Sequence, residues 1–321
     1  MIDLAPLKFE PYLKSVIWGG EKICTYKNIP QQEPNIGESW EISAVPGHES
    51  VVAEGVYKGL KLTELIQMFG EDLLGKRVIE KYGFSFPLLI KIIDANDNLS
   101  VQVHPDDQLA LKRHQSLGKT EMWYIIDTEK GARIYAGLKT EMTPDEYVTK
   151  VNDGTFADTL AVHDSAPGDV FFLPAGRVHA IGAGNLLAEI QESSDITYRI
   201  YDYDRRDDKG NPRELHTELA KDAIDYKVYP EYKSPRPDDK ETVARIGECE
   251  HFVTDRLIVG EELNLKLSEG SFNVLICLDG KVKMHYNDRE MILDKGNSVL
   301  IPAAMHEIRL TGNASLLRTS L

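Results

Sequence analysis

Two kinds of hydrophobic pattern follow one another along the chain. Short runs of apolar and β-branched residues bounded by turn residues predict strands, and apolar residues spaced three or four apart predict amphipathic helices. In the first two thirds of the chain, strands are predicted over residues 87–93, 99–104, 122–126, 169–173, 186–191 and 197–201. We therefore expect a mainly β fold.

Helices interrupt this pattern in three places. Residues 60–82 keep apolar residues at helical spacing with two glycines as breaks, which predicts one or two short helices. Residues 143–146 (TPDE) have the N-cap Thr, the Pro and the Glu of a capping box, so a helix should run to about Asn152. A third helix is predicted after Pro212.

One stretch lacks any apolar periodicity. Residues 229–242, YPEYKSPRPDDKET, combine three prolines with a cluster of charges. We interpret this stretch as a linker between a first domain over residues 1–228 and a second over 243–321. The first domain should carry the helical insertions.

The second domain reads as a small antiparallel β-domain. Residues 272–278 and the alternating residues 282–286 flank Asp279-Gly280, which predicts a β-hairpin. Residues 296–306, GNSVLIPAAMH, also resemble residues 168–179, GDVFFLPAGRVH. Two copies of one β-barrel explain this similarity.

Composition and charge exclude several classes of protein. With 37 Lys and Arg against 52 Asp and Glu, the net charge is −15, which argues against nucleic acid or a membrane surface as a partner. The sequence contains neither an apolar run of ~18 residues nor a visible signal peptide, so we expect a cytoplasmic protein. Three widely spaced cysteines argue against disulfides and thiolate zinc sites. No obligate protein partner is implied.

Four residues have the chemistry of metal ligands. Gln102 and His104 stand two apart in a β-type run, so both side chains leave the same face of a strand. Glu121 lies at the start of another strand, and His179 ends a turn after a third. Two imidazoles, a carboxylate and an amide oxygen suit zinc best, without excluding iron or manganese.

These motifs resemble those of known families. The pattern G-x5-P-x-G-x2-H over residues 168–179 resembles the second motif of the cupin superfamily, with the trailing Asn displaced to Asn185. Gln102 stands where the first cupin motif usually has a His. This Q-x-H-P-D segment resembles the type I mannose-6-phosphate isomerases, as do residues 17–20 (IWGG), 118–121 (GKTE) and 191–206.

The resemblance implies a fold, a cofactor and a reaction. The fold would be two cupin (jelly-roll) β-barrels with short helical insertions in the first, and the length of the chain points to the compact bacterial branch. One Zn²⁺ per chain would be held by Gln102, His104, Glu121 and His179, with Arg199 in the active site. The enzyme would be an intramolecular oxidoreductase that interconverts mannose 6-phosphate and fructose 6-phosphate through a metal-stabilised cis-enediol.

The reaction suggests roles for further residues. Lys119, two residues before Glu121, would assist ring opening or relay a proton. Lys91 and Ser100, with Arg199 and the metal, would form a positive pocket for the phosphate of a small phosphosugar. Glu189 would bind sugar hydroxyls or assist proton transfer, and Trp18 would form a wall of the pocket.

Two other functions remain open from the sequence. One is a cupin dioxygenase with iron on two His and one carboxylate, for which Gln102 would be an unusual fourth donor. The other is a metal-binding carbohydrate sensor without turnover. His306 of the second barrel lacks spaced ligand partners and is expected to be structural. The remaining histidines are interpreted as surface or satisfied side chains: His48, His114, His163, His216, His251 and His285.

Overall fold

A computed structural model of the chain describes residues 4–206, 209–238 and 240–321. The helices are α1 (Lys22–Lys27), α2 (Leu62–Phe69), α3 (Glu71–Leu74), α4 (Lys76–Tyr82), α5 (Asp107–His114), α6 (Pro144–Asn152) and α7 (Thr217–Ala223). The strands are β1 (Phe9–Glu10), β2 (Tyr12–Gly20), β3 (Ile36–Ile42), β4 (Val51–Val52), β5 (Leu88–Ala95), β6 (Val101–Val103), β7 (Glu121–Thr128), β8 (Arg133–Leu138), β9 (Leu160–Asp164), β10 (Val170–Leu173), β11 (His179–Ile181), β12 (Asn185–Glu192), β13 (Tyr198–Tyr201), β14 (Val243–Glu248), β15 (Val253–Val259), β16 (Glu262–Lys266), β17 (Asn273–Tyr286), β18 (Arg289–Asp294), β19 (Ser298–Ile301) and β20 (Glu307–Ser320). In this described part of the chain, no helix is both long and apolar enough to cross a membrane.

Two antiparallel sheets form the first part of the fold. One has the strand order β10-β7-β12-β5-β3-β2 and the other β13-β6-β11-β8-β9. Side chains from both sheets, among them Ile93, Trp123, Phe171 and Ile181, pack in a common core between them. The predicted mainly β fold is therefore confirmed, and the first domain is a β-sandwich.

The sequence of the strand predicted over residues 87–93 is almost continuously apolar, and the structure explains why. β5 is buried at every position. Leu88, Ile90 and Ile92 pack on one face against the helices and the second domain. Lys91 and Ile93 face the interior of the sandwich. Because both faces are covered, the usual alternation of apolar and polar residues is lost.

The other predicted helices and strands agree with the structure to different degrees. Each strand predicted between residues 87 and 201 is present, with ends shifted by no more than two residues. In this part of the chain, strands β1 to β4, β8, β9 and β11 were not predicted. Residues 60–82 form three helices rather than one or two, because Gly70 and Gly75 adopt positive φ angles of 47° and 93°. The helix α6 has the predicted capping box at Thr143, whereas α7 begins at Thr217, five residues beyond Pro212.

The predicted hairpin at Asp279-Gly280 is wrong. Both residues lie inside β17, a single strand of 14 residues that pairs with β20 along most of its length. A β-bulge shifts the register between Cys277 and Asp279, and Gly280 supplies a φ of 79°. Asp-Gly favours a bulge as well as a turn because Gly adopts positive φ without strain. Beyond the bulge, β17 exchanges its neighbour β19 for β18.

The sheet of β14 to β20 shares a core with the first domain. Phe272, fully buried directly before β17, packs against Phe86 with ring centroids 4.7 Å apart and ring planes tilted by 38°. The same apolar cluster includes Ile23 and Leu73 of the first domain. The domain boundaries at residues 228 and 243 remain a prediction. The two parts pack side by side and share one hydrophobic core.

The predicted linker over residues 229–242 is docked along part of its length. The hydroxyl of Tyr232 donates to the carbonyl oxygen of Leu138 at 2.9 Å, and the amide of Ser234 donates to Val170 at 2.9 Å. Asp169 then binds two of the three basic side chains of the segment: Lys233 Nζ forms an ion pair with Oδ2, and Arg236 donates to Oδ1 at 2.6 Å.

Asp169→Asn is expected to destabilise the protein by ~1–3 kcal/mol, because it weakens two charge-assisted contacts to a buried side chain. Burial raises the pKa of Asp169, but Lys233 and Arg236 outweigh it and lower that pKa below its usual value. The stabilisation that ionised Asp169 gives the folded protein is therefore complete above the unfolded pKa of about 3.9. It is lost as the pH falls through the lower pKa of Asp169 in the folded protein. Thermal midpoints at pH 7 and at pH 3 measure this. Asp164→Asn, at a side chain 94% exposed, is the matched control, and an equal effect in both variants would refute the prediction.

Candidate metal centre and active site

The four predicted metal ligands meet at one end of the sandwich. Gln102 of β6 and His179 of β11 are direct partners in neighbouring strands. Glu121 begins β7 in the facing sheet, and His104 follows β6. The ligand atoms of His104, Glu121 and His179 lie within 4.8 Å of one another. The β alternation that predicted a shared face for Gln102 and His104 agrees with this placement, with Gln102 beside His179 and His104 beside Glu121.

The distances within this group suit a small cation. His179 Nε2 lies 3.1 Å from Glu121 Oε1, and His104 Nε2 lies 3.5 Å from Glu121 Oε2. Gln102 Nε2 lies 3.3 Å from His179 Nε2, and a half-turn of the amide brings its oxygen to the same place. Tetrahedral ligands ~2.0–2.1 Å from a zinc ion lie roughly 3.3 Å from each other.

Both histidines are held in the tautomer that a metal requires. The Nδ1–H of His104 donates to the carbonyl oxygen of Ile196 at 2.8 Å, and that of His179 donates to Arg177 at 2.8 Å. Nε2 is therefore left with its lone pair facing Glu121. Burial lowers the pKa of His179 to about 3 and that of His104 well below its usual value, so both imidazoles are neutral.

Glu121 is a fully buried carboxylate at the centre of this group. Lys119 Nζ lies 3.2 Å from Oε2, but neither oxygen accepts a hydrogen bond of good geometry. Burial raises its pKa to about 7, although Lys119 opposes that shift. A buried carboxylate without hydrogen bonds is costly unless a cation neutralises it. The donor set therefore fits a divalent metal with an open position for substrate.

Lys119 lies directly beside these ligands. Its ammonium Nζ is 3.2 Å from Glu121 Oε2 and 3.1 Å from His104 Nε2, and the residue is 5% exposed. The prediction that Lys119 and Glu121 point into one cavity, because they stand two apart, agrees with this geometry.

A cavity of about 400 Å³ adjoins the ligand group. The predicted catalytic and substrate-binding residues all line it: Trp18, Lys91, Ser100, Lys119, Glu189 and Arg199. Arg199 on β13 is the direct partner of Gln102 on β6. Its Nη1 donates to the carbonyl oxygen of Glu214 at 2.9 Å, while its buried Nε has no partner. A larger cleft of about 1270 Å³ between the N-terminal strands and β17 contains none of these residues.

The surroundings of Lys91 differ from the prediction that it helps to form a positive pocket for a phosphate. Its ammonium lies 3.1 Å from Glu189 and 3.5 Å from Glu38. Burial lowers the pKa of Lys91, but the two carboxylates outweigh burial and raise it above its usual value. Lys91 is therefore a charged side chain whose charge is already balanced, and it adds no net positive charge for a phosphate.

Glu189 is fixed from two sides. Besides Lys91, the indole Nε1–H of Trp123 donates to Glu189 Oε1 at 2.8 Å. Burial raises the pKa of Glu189, but Lys91, Lys119 and this hydrogen bond lower it to about 2. Glu189 therefore stays ionised in the cavity at neutral pH.

Two residues that line the cavity, Arg213 and Glu38, were not predicted from the sequence. Arg213 lines the cavity, and its Nε donates to Asp202 at 2.7 Å, an acid that also binds Arg205 at 2.6 Å. Arg213 lies in a loop without periodicity, so no sequence signal was available. Glu38 could have been found, because it interrupts a buried strand as Lys91 does.

His306 of the second β-domain lies apart from the potential metal ligands. His306 is exposed. Among the described residues, neither group of potential metal ligands includes His306. The three cysteines are free, in line with the absence of a disulfide scaffold.

Comparison with known proteins identifies the family. Residues 7–136 match the family described as phosphomannose isomerase type I, catalytic domain, and residues 245–321 match the mannose-6-phosphate isomerase cupin domain. Mannose-6-phosphate isomerase ManA of Bacillus subtilis is 37% identical over 98% of this chain and 99% of the relative. Mannose-6-phosphate isomerase of Streptococcus mutans is 42% identical over 68% of this chain and 67% of the relative.

A solved structure agrees with this assignment. The crystal structure of the mannose 6-phosphate isomerase from Bacillus subtilis matches with a TM-score of 0.90 and 33% identity, over 99% of this chain and 100% of the other. The predicted cupin architecture and the predicted family are thereby confirmed. The chain belongs to the type I mannose-6-phosphate isomerases, a family of aldose–ketose isomerases.

Proposed function

We propose that this chain interconverts mannose 6-phosphate and fructose 6-phosphate in the 400 Å³ cavity, with one zinc ion held there by Gln102, His104, Glu121 and His179. The observation that carries the proposal is the fully buried Glu121 carboxylate, whose oxygens lie 3.1 Å from His179 Nε2 and 3.5 Å from His104 Nε2, both on neutral imidazoles. Two imidazoles, a carboxylate and an amide without thiolates suit zinc. Relatives named for this reaction support the substrate.

The reaction moves a proton between C1 and C2 of the open sugar, and negative charge develops on the oxygens of the cis-enediol. A bound divalent cation polarises the carbonyl and lowers the energy of that charge. Arg199 supplies a second source of positive charge, because its buried Nε has no partner in the protein. A guanidinium with fixed donors stabilises an enediol oxygen without acting as a base.

Lys119 is proposed to move the proton that opens the sugar ring. Its ammonium lies in the cavity wall, held by Glu121 at 3.2 Å. From this position it can donate a proton to the ring oxygen as the C1–O5 bond breaks and take up the proton that the C1 hydroxyl loses as the aldehyde forms, and both transfers reverse on closure. Glu189, an ionised carboxylate, is suited to accept hydrogen bonds from sugar hydroxyls, with Trp18 as a wall of the pocket.

The phosphate is proposed to lie at the arginine end of the cavity. Arg199 and Arg213 both line it, and Ser100 adds a hydroxyl donor. Asp202 is shared between Arg205 and Arg213, and Arg205 also lies 3.6 Å from Asp97, so among the described residues these two carboxylates face three guanidinium groups. Guanidinium groups bind phosphate through paired donors. Lys91 is assigned to orienting Glu189 and not to the phosphate.

Product analysis separates the three candidate functions. The protein is incubated with mannose 6-phosphate in air, fructose 6-phosphate is measured by ³¹P NMR, and dioxygen uptake is recorded. Isomerisation without dioxygen uptake is expected. Dioxygen uptake would indicate a cupin dioxygenase, and binding without any product would indicate a sugar sensor. The cytoplasmic location and the lack of nucleic-acid and obligate protein partners stay predictions.

A further inference from the structure

A second group of potential metal ligands lies behind the segment that carries Lys119 and Glu121. Asp107 begins α5, Glu192 ends β12, and His251 lies between β14 and β15. One ligand atom from each residue lies within 4.8 Å of the other two. We name Asp107, Glu192 and His251 the seam cluster, because His251 belongs to the second domain. We propose that the seam cluster binds a second divalent cation that joins the two domains and fixes the segment holding Lys119.

The seam cluster contains two carboxylates whose negative charge a cation would balance. Glu192 is 2% exposed, and its Oε1 has no hydrogen-bond partner. Within the described ranges, no lysine or arginine forms an ion pair with Asp107 or Glu192. Burial raises the pKa of Glu192 to about 8 and lowers that of His251 below its usual value. The cluster thus lacks positive charge of its own, and a divalent ion would supply it.

The geometry resembles that of the catalytic ligands. His251 Nδ1 lies 3.1 Å from Glu192 Oε1, the same separation as between His179 Nε2 and Glu121 Oε1. On the far side of the imidazole, His251 Nε2 lies 3.5 Å from a carboxylate oxygen of Glu250. A carboxylate in that position is the usual orienting partner of a metal-bound histidine. One nitrogen and two carboxylate ligands suit zinc or manganese.

The two carboxylates also hold the active-site segment. Asp107 Oδ1 accepts the backbone N–H of Gly118 at 2.7 Å, and Glu192 Oε2 accepts that of Thr120 at 2.7 Å. These two amides flank Lys119. A cation on the opposite oxygens of both carboxylates would therefore fix the backbone on either side of Lys119. It would also give the second domain a role at the active site.

Zinc stoichiometry tests the proposal. Chelated protein is titrated with Zn²⁺ alone, and bound metal is counted by mass spectrometry after desalting. Two Zn²⁺ per chain are expected for the wild type. Glu192→Gln should bind one, because the amide still accepts the Thr120 N–H but carries no charge. Glu121→Gln, which alters only the catalytic ligands, should also bind one, so the seam cluster is measured independently of the isomerase reaction.

Controls make the result decisive. His251→Gln should bind one Zn²⁺, whereas His285→Gln, a change in the same domain at a residue bonded to Thr311, should bind two. Circular dichroism verifies that each variant is folded, and Glu192→Gln decides the question if His251→Gln is not. One Zn²⁺ per chain in the wild type, or two in both Glu192→Gln and His251→Gln, would overturn the second site and leave the isomerase proposal standing.

Discussion

Arg199→Ala is expected to lower kcat by ~10²–10³-fold, the usual cost of removing one preorganised donor from developing negative charge. The zinc content should be unchanged, because Arg199 contacts the ligand strand through its backbone and not the ligand atoms. The buried Nε of Arg199 has no partner in the protein, so the side chain has a donor available for the substrate. Steady-state kinetics with mannose 6-phosphate and metal analysis of the same sample measure both quantities.

Two variants control this experiment. Arg199→Lys keeps the charge but loses the planar set of donors, so it should recover only part of the activity. Arg133→Ala removes a guanidinium that is 57% exposed and lies in an ion pair with Asp164, and it should leave kcat unchanged. Loss of zinc from Arg199→Ala would mean that Arg199 supports the metal site, and an unchanged kcat would exclude it from the reaction.

Glu121→Gln is expected to weaken zinc binding by at least ~100-fold and to reduce activity in proportion. The variant keeps the shape of the side chain but removes the only carboxylate among the four ligands. Removing one partner from a buried charge pair costs ~3–5 kcal/mol, which corresponds to ~10²–10⁴-fold in affinity. Zinc competition with a coloured chelator gives the affinity, and the isomerase assay gives the activity.

Glu129→Gln is the matched control for this change. The side chain of Glu129 is 64% exposed and forms a surface ion pair with Lys22, so zinc affinity and activity should both stay at the wild-type level. Zinc affinity that survives in Glu121→Gln would show that the cation lies elsewhere.

The proximity of the four proposed ligands could be predicted because their signals are local. Gln102 and His104 share a face through the two-residue repeat of a strand, and His179 ends a motif of fixed spacing. Lys91 could be placed inside the sandwich because it interrupts an apolar run. Its balancing partner Glu38 comes from a strand that lies about 50 residues earlier, and no local pattern connects the two.

The remaining errors have a similar origin. Asp279-Gly280 suits a turn and a bulge equally, and only the pairing of β17 with β20 decides between them. The interpretation of His251 as a surface or satisfied histidine agrees with its burial beside Glu192 and Tyr82 of the other domain, but no local pattern indicated these partners. Arg213 enters the cavity from an irregular loop. Each of these depends on contacts between segments far apart in sequence, which hydrophobic periodicity does not report.

The central claim is that isomerisation requires a cation on Gln102, His104, Glu121 and His179. The most direct test is the rate of fructose 6-phosphate formation before chelation, after complete metal removal, and after addition of Zn²⁺. We predict that the chelated protein is inactive and that Zn²⁺ restores the initial rate. Activity that persists in protein shown to be free of metal, or its absence with zinc bound, would contradict the account.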